Sequence, residues 1–107
     1  MKTVKFNKWE CNVQLSEHVG GHNALILRDI NTDEVIIIAS VNLKEMPMNI
    51  DEVAIKDYSE NQGVLKALRK AGIVGKPVKW VRSGFVRIAI CKILIVLLLY
   101  INIFIIF

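Results

Sequence analysis

A chain of 107 residues that is 53% hydrophobic, 22% charged and 7% aromatic holds one domain and has no room for a second core. At this size folding buries roughly 60 to 70% of the unfolded surface, enough for a core without disulfide or metal staples, and the aliphatic content excludes intrinsic disorder. The formal charge of +4 conceals a polarity: residues 1 to 60 carry six basic side chains against ten acidic ones, a net of −4, whereas residues 61 to 107 carry eight basic ones and no Asp or Glu, a net of +8. Such polarity steers association with a polyanion or an anionic membrane surface, or is neutralised where the two halves fold against each other.

Alternation in Thr3-Val4-Lys5-Phe6 and again in residues 9–15 places apolar side chains on one face at period two and predicts two half-buried strands, with Asn7-Lys8 as the turn or bulge between them. Gly20-Gly21-His22-Asn23 supplies the positive φ of a tight turn, and a further strand is expected over 24–30. After the turn Asn31-Thr32-Asp33-Glu34, the β-branched and nearly continuous apolar run at 35–41 fits a central strand better than an edge. Pro47 lies in a connection spanning 42–49, and 52–55 reads as a short strand. A helix is expected to begin at Ser59, with Ser59 as cap, Gln62 completing a capping box and Glu60 favouring the same end. Its buried stripe is Val64, Leu65, Leu68 and Ala71, and Gly72 stops it. Strands at 78–81 and 85–90 flank Arg82-Ser83-Gly84 as a closing hairpin. The expected fold is therefore α+β: residues 1–92 form one domain, a small antiparallel β-sheet arranged as a meander with one helix packed on a face. A hydrophobic C-terminal segment of helical character follows over 93–107.

Several blocks of this sequence resemble a known pattern: Lys5-Phe6-Asn7 with Trp9-Glu10-Cys11-Asn12-Val13, Val41-Asn42-Leu43, the run from Asp51 to Asn61 centred on Ile55-Lys56-Asp57-Tyr58-Ser59-Glu60-Asn61, then Gly63, Leu65, Ala67-Leu68, Ala71-Gly72-Ile73-Val74 and Ser83-Gly84-Phe85-Val86. Together they resemble the domain-of-unknown-function family 4313, small proteins of bacteria, phages and mobile elements, over roughly residues 3 to 92. The resemblance implies a genomic setting and transfers no catalytic or ligand residue. Where members of that family are acidic after the helix, this chain has Lys70, Lys76, Lys79 and Arg87, and it continues past their usual end near Ile93.

Motifs for chemistry are sparse. Cys11 and Cys91 form no Cys-x-x-Cys and have no His at ligand spacing, so buried free thiols in a reducing compartment are the expectation over a bridge. His18 and His22 flank a glycine turn and would pinch a divalent metal if Glu17 joined them; exposed turn histidines are the commoner case. Asp51, Glu52, Asp57 and Glu60 cluster before the helix, where negative charge is stabilising in any protein. Gly75-Lys76 lacks the earlier glycine and the following Ser or Thr of a phosphate loop, and Gly-x-Ser-x-Gly, His-Glu-x-x-His and Gly-x-Gly-x-x-Gly are all missing. No catalytic residue, cofactor or metal is assigned, and the reading is non-enzymatic.

The candidate interaction surface is the basic set Lys66, Arg69, Lys70, Lys76, Lys79, Arg82 and Arg87 with Trp80 among them, a texture shared with surfaces that bind single-stranded nucleic acid. The last residues are a candidate membrane contact: Ile93, Leu94, Ile95, Val96, Leu97, Leu98, Leu99, Tyr100, Ile101, Ile103, Phe104, Ile105, Ile106 and Phe107. As a helix the fifteen positions 93–107 reach about 22 Å, and borrowing residues 88–92 extends them to about 30 Å, the thickness of a hydrocarbon core. That borrowing competes with a strand. Three readings of this end are open: a membrane anchor, a non-native extension from altered coding sequence, and a helix buried against the domain or a partner. The leading expectation is a small binding protein of a phage or mobile element that contacts a host macromolecule, foremost a host protein, with interference in host defence one form of this. A tail-anchored protein with a basic lipid-facing surface and a nucleic-acid binder are the alternatives. The N-terminus lacks the apolar run of a signal peptide, so a cytoplasmic location is expected, with attachment to the inner membrane face through the tail as a variant of it.

Overall fold

Val4, Phe6 and Cys11 fall on one face of their strands, and in the computed structural model, which describes residues 3–94, all three are buried. β1 (Thr3–Phe6) and β2 (Trp9–Glu17) pair antiparallel with Val4 opposite Cys11 and Phe6 opposite Trp9. Asn7 turns the chain between them at φ 53°, a left-handed conformation that a short polar side chain tolerates better than most. β3 (Asn23–Asp29) returns along β2, and β4 (Val35–Ile38) along β3, so the first sheet runs β1-β2-β3-β4. Asp29 holds the last turn, its Oδ1 accepting the backbone N–H of Asn31 at 2.7 Å and of Thr32 at 3.3 Å.

The run at 35–41 is not a central strand. β4 lies at the edge of its sheet with Val35 and Ile38 about half exposed, and the chain then leaves for a second sheet. Ala39 still donates its N–H to Leu25 at 2.8 Å; Ser40 bridges Ile55, Val41 donates to the Ala54 carbonyl at 3.0 Å, and Lys56 donates to Ala39 at 2.8 Å. The unbroken hydrophobicity belongs to a segment that serves two sheets in succession. In place of one meander there are two antiparallel sheets with one helix, the second built from β5 (Glu52–Ile55), β6 (Val74–Ser83) and β7 (Val86–Ile93) in the order β5-β7-β6.

β7 is apolar through its middle because both its faces are covered. Ala89, Cys91 and Ile93 join the main core with Leu25, Leu27, Val53, Ile55, Val64 and Leu68, while Ile88 and Ile90 pack with Ala54 under Val41, Leu43, Met46, Met48 and Tyr58. The hairpin joining β6 to β7 is tighter than the sequence suggested. Ser83 pairs with Val86, leaving Gly84-Phe85 as a two-residue tip with Gly84 at φ 60°.

The helix also starts later than expected. Ser59–Asn61 is a single 3-10 turn with Ser59 at φ 58°, and α1 (Val64–Lys70) begins only after Gly63 at φ 96°. Ser59 caps nothing in α1; the cap is Asp57, whose Oδ1 accepts the N–H of Gly63 at 2.8 Å and of Leu65 at 3.2 Å. A capping box read from local spacing misses a carboxylate that reaches across an intervening turn. Asn61, 1% exposed, fastens that turn by donating Nδ2 to the Ile38 carbonyl at 2.7 Å. At the other end Gly72 (φ 73°) donates to Arg69 at 3.0 Å and Ile73 to Leu68 at 2.9 Å, the paired closure of a Schellman motif. Asp57→Ala is expected to lower stability by about 0.5 to 2 kcal/mol with Asp57→Asn retaining most of it, measured by thermal melting, where each kcal/mol shifts Tm by about 4 to 8 °C.

Residues 88–92, which a membrane span would need, are all in β7, and Ile93 is a core residue opposite Val74, 5% exposed. Leu94 donates its N–H to Ile73 at 2.8 Å and turns its side chain outward. The remaining membrane-contact positions, 95–107, lie outside the described residues. No helix among the described residues is long and apolar enough to cross a membrane.

Candidate cationic interface

Burial of Val64 and Leu68 against the core fixes the rotation of α1 and leaves Lys66, Arg69 and Lys70 exposed. Between the helix and the first residues of β6 lies an open cleft of about 640 Å³, lined by Asp57, Leu65, Lys66, Arg69, Lys70, Val74, Gly75, Lys76 and Leu94. A smaller hollow of about 210 Å³ is lined by Lys5, Phe6, Asn7, Gly63, Lys66, Ala67 and Lys70. Lys66 and Lys70 border both, so four of the sequence-predicted cations meet at one cleft, and Lys5, which sequence reasoning left out, joins Lys66 and Lys70 at the hollow.

Strand register sorts the others. Trp80 pairs with Ala89 and Arg82 with Arg87, which sets all three on the face of sheet two that carries Ala89, Cys91 and Ile93. Trp80, Arg82 and Arg87 lie toward the hairpin end of that face, and the α1–β6 cleft lies at the other end of β6, where Val74, Gly75 and Lys76 line it. Lys79 pairs with Ile90 and belongs to the opposite face, apart from the rest. The Arg87 guanidinium lies 5.0 Å from the centroid of the Trp80 ring, and Trp80 stays 47% exposed rather than packing in the core. Phe85 at the hairpin tip is fully exposed. Its only signal in the sequence was its place after Gly84, where a two-residue turn would leave it without neighbours.

The surface is electrostatically one-sided. Among the described residues the single ion pair is Lys56 with Glu60, a local contact that raises the lysine pKa and lowers that of the carboxyl through their hydrogen bond. Among the described residues none of the cations of α1, β6 or β7 is paired with a carboxylate, and Arg82 stands directly opposite Arg87, an unfavourable pairing of like charges. Asp57, the acidic residue at the cleft, is occupied in capping the helix.

The other sequence candidates resolve into structural roles. His18 Nε2 is 2.9 Å from Ser40 Oγ, and the described residues hold no group of three His, Cys, Asp or Glu placed for a metal. Glu52 is buried and accepts the Asn49 N–H at 2.9 Å. Cys11 and Cys91 are buried free thiols. Burial pushes Cys91 up to about 11 against the opposing influence of Arg69, and burial followed by Asp29 and Glu10 raises Cys11. Thiols held protonated are poor nucleophiles. A disulfide reagent at neutral pH is therefore expected to leave both unmodified in the native protein and to titrate both in denaturant; rapid native labelling would contradict their burial.

No protein-family model, curated protein or solved structure matches this chain.

Proposed function

We propose that this chain is a small non-enzymatic binding module that acts by contact between its cationic face and an anionic host partner. The setting of a phage or mobile element follows from the family resemblance alone. One observation carries the reading: the cations around the α1–β6 cleft and on the adjoining sheet face have no carboxylate partners among the described residues, although the same chain holds ten acidic residues. A fold that merely needed solubility would tolerate interspersed charges; concentrating one sign beside an exposed Trp80 raises the local potential and speeds encounter with an opposite surface. The partner is a host protein with an acidic surface, or another polyanion of the host.

Affinity capture from host lysate tests this with two baits, the full chain and its Lys66→Ala/Arg69→Ala/Lys70→Ala variant. Alanine preserves the helix, so folding is maintained. The expected result is material retained by the wild type, released by raised salt and missing from the variant. Equal capture by both baits would remove the cationic face from the function.

A further inference from the structure

We infer that the anionic partner of the cationic face is a phospholipid bilayer, with headgroup phosphates seated in the cleft between α1 and β6. This deepens the proposal above and rests on it. Lys66, Arg69, Lys70 and Lys76 converge on an open cleft rather than a closed pocket, and their side chains reach an extended plane of phosphates more readily than one enclosed ligand.

One apolar feature borders these charges, and a second lies at the opposite end of the same sheet. Leu94 lines the same cleft, 54% exposed, and the sequence continues from it with thirteen residues that contain no charge and one amide, Asn102. Four cations beside an exposed leucine match the order of a bilayer surface, phosphates outside and hydrocarbon beneath. At the far end of β7 the hairpin tip presents Phe85 fully exposed, with Trp80 half exposed on the same hairpin and Arg82 and Arg87 beside it. Aromatic rings next to arginines are the side chains that settle at the headgroup level. A nucleic acid would satisfy the cations and stack on Trp80, yet it offers no apolar layer to the exposed Leu94 and Phe85. An acidic protein shares that shortcoming unless it also brings an apolar groove.

The experiment is vesicle flotation of the full chain with phosphatidylcholine alone and with phosphatidylcholine mixed with phosphatidylserine. A mixed-sequence oligonucleotide is assayed in parallel. Wild type is expected to float with the anionic vesicles in preference to the neutral ones and to be released by salt. The Lys66→Ala/Arg69→Ala/Lys70→Ala variant should bind the anionic vesicles about 100-fold more weakly, from the loss of three cations near the surface. Phe85→Ser, at a fully exposed side chain of the tip, should weaken binding roughly tenfold. Equal flotation on both vesicle types, unchanged in the triple variant, would overturn the assignment by leaving the cations without a part in the contact. Charge-dependent binding to the oligonucleotide, or charge-dependent capture of a host protein, with no flotation would overturn it as well while leaving the binding-module reading in place. No flotation and no oligonucleotide binding, together with no charge-dependent capture from host lysate, would overturn both.

Discussion

Leu68→Ala is expected to destabilise the protein by about 2 to 5 kcal/mol, a large share of what a domain of this size possesses. Leu68 is fully buried on the inner face of a helix of only seven residues, in the core it shares with Val64, Ile73 and Cys91. Such a helix is too short to persist by itself and depends on tertiary packing. The Leu68 carbonyl also accepts the Ile73 N–H that closes the helix, so retreat of the backbone around a cavity would loosen the turn into β6. Urea unfolding should show a lower midpoint at unchanged slope. Leu65→Ala, at a half-buried position, should cost less, and Lys66→Ala should stay within about 0.5 kcal/mol. A Leu68→Ala loss no greater than that of Leu65→Ala would mean that α1 is not pinned through this side chain. The functional corollary is geometric: α1 carries Lys66, Arg69 and Lys70 toward Lys76, and a helix free to shift would no longer present the four together.

Local patterns carried much of the fold. Period-two alternation located β1 and β2, glycine and asparagine located the turns, and Gly72 located the helix end, because each depends on neighbours within a few residues. What the sequence concealed was long-range. A continuous apolar run is the same whether a strand is buried between neighbours or passes from one sheet to another, and residues 35–41 do the latter. The helix cap was assigned to Ser59 because spacing favoured it, whereas Asp57 reaches the orphan amides through a 3-10 turn that no local rule anticipates. Apolar content at 88–92 suited a span as well as a strand covered on both faces; pairing with β5 and β6 decides for the strand.

The candidate site divides along the same line. Charge asymmetry is a property of composition, so seven cations and Trp80 could be named from the sequence, and the helical period put Lys66, Arg69 and Lys70 outside. Which of them share a surface depends on strand register, and two irregularities in β6 between Val74 and Lys79 change the face on which later residues fall. Lys79 parts from Trp80 and Arg82 by the ordinary alternation of a strand, and the register adds Arg87 to their face. Phe85 was read as the start of a strand and is instead part of the turn before it, where it is the most exposed ring of the hairpin.

Ser40→Ala should cost about 1 to 3 kcal/mol, since it leaves a buried backbone donor without an acceptor. Ser40 is 4% exposed at the point where the chain crosses between sheets, and its Oγ accepts the Leu25 N–H at 2.9 Å while lying 2.9 Å from His18 Nε2. One hydroxyl thereby joins β3, the β2–β3 turn and the crossover, and Ser40→Thr, which keeps the oxygen, should recover part of the loss. The same contact gives the protein a pH dependence. Burial, and then the neighbouring His22, hold the His18 pKa below its ordinary value, so the unfolded chain binds more protons than the native one as pH falls. Stability from this source is complete above the unfolded value of about 6.5, declines as the pH drops below it, and levels off under the native value. Glu60, whose carboxyl is lowered, adds a loss of the same sign in a more acidic window. Denaturant midpoints taken from pH 7 to pH 5 should therefore fall in the wild type and stay nearly flat in His18→Gln. A wild-type midpoint that rises with acid over this range would show that protonated His18 is welcomed by the native state, with the Ser40 hydroxyl accepting from the imidazolium.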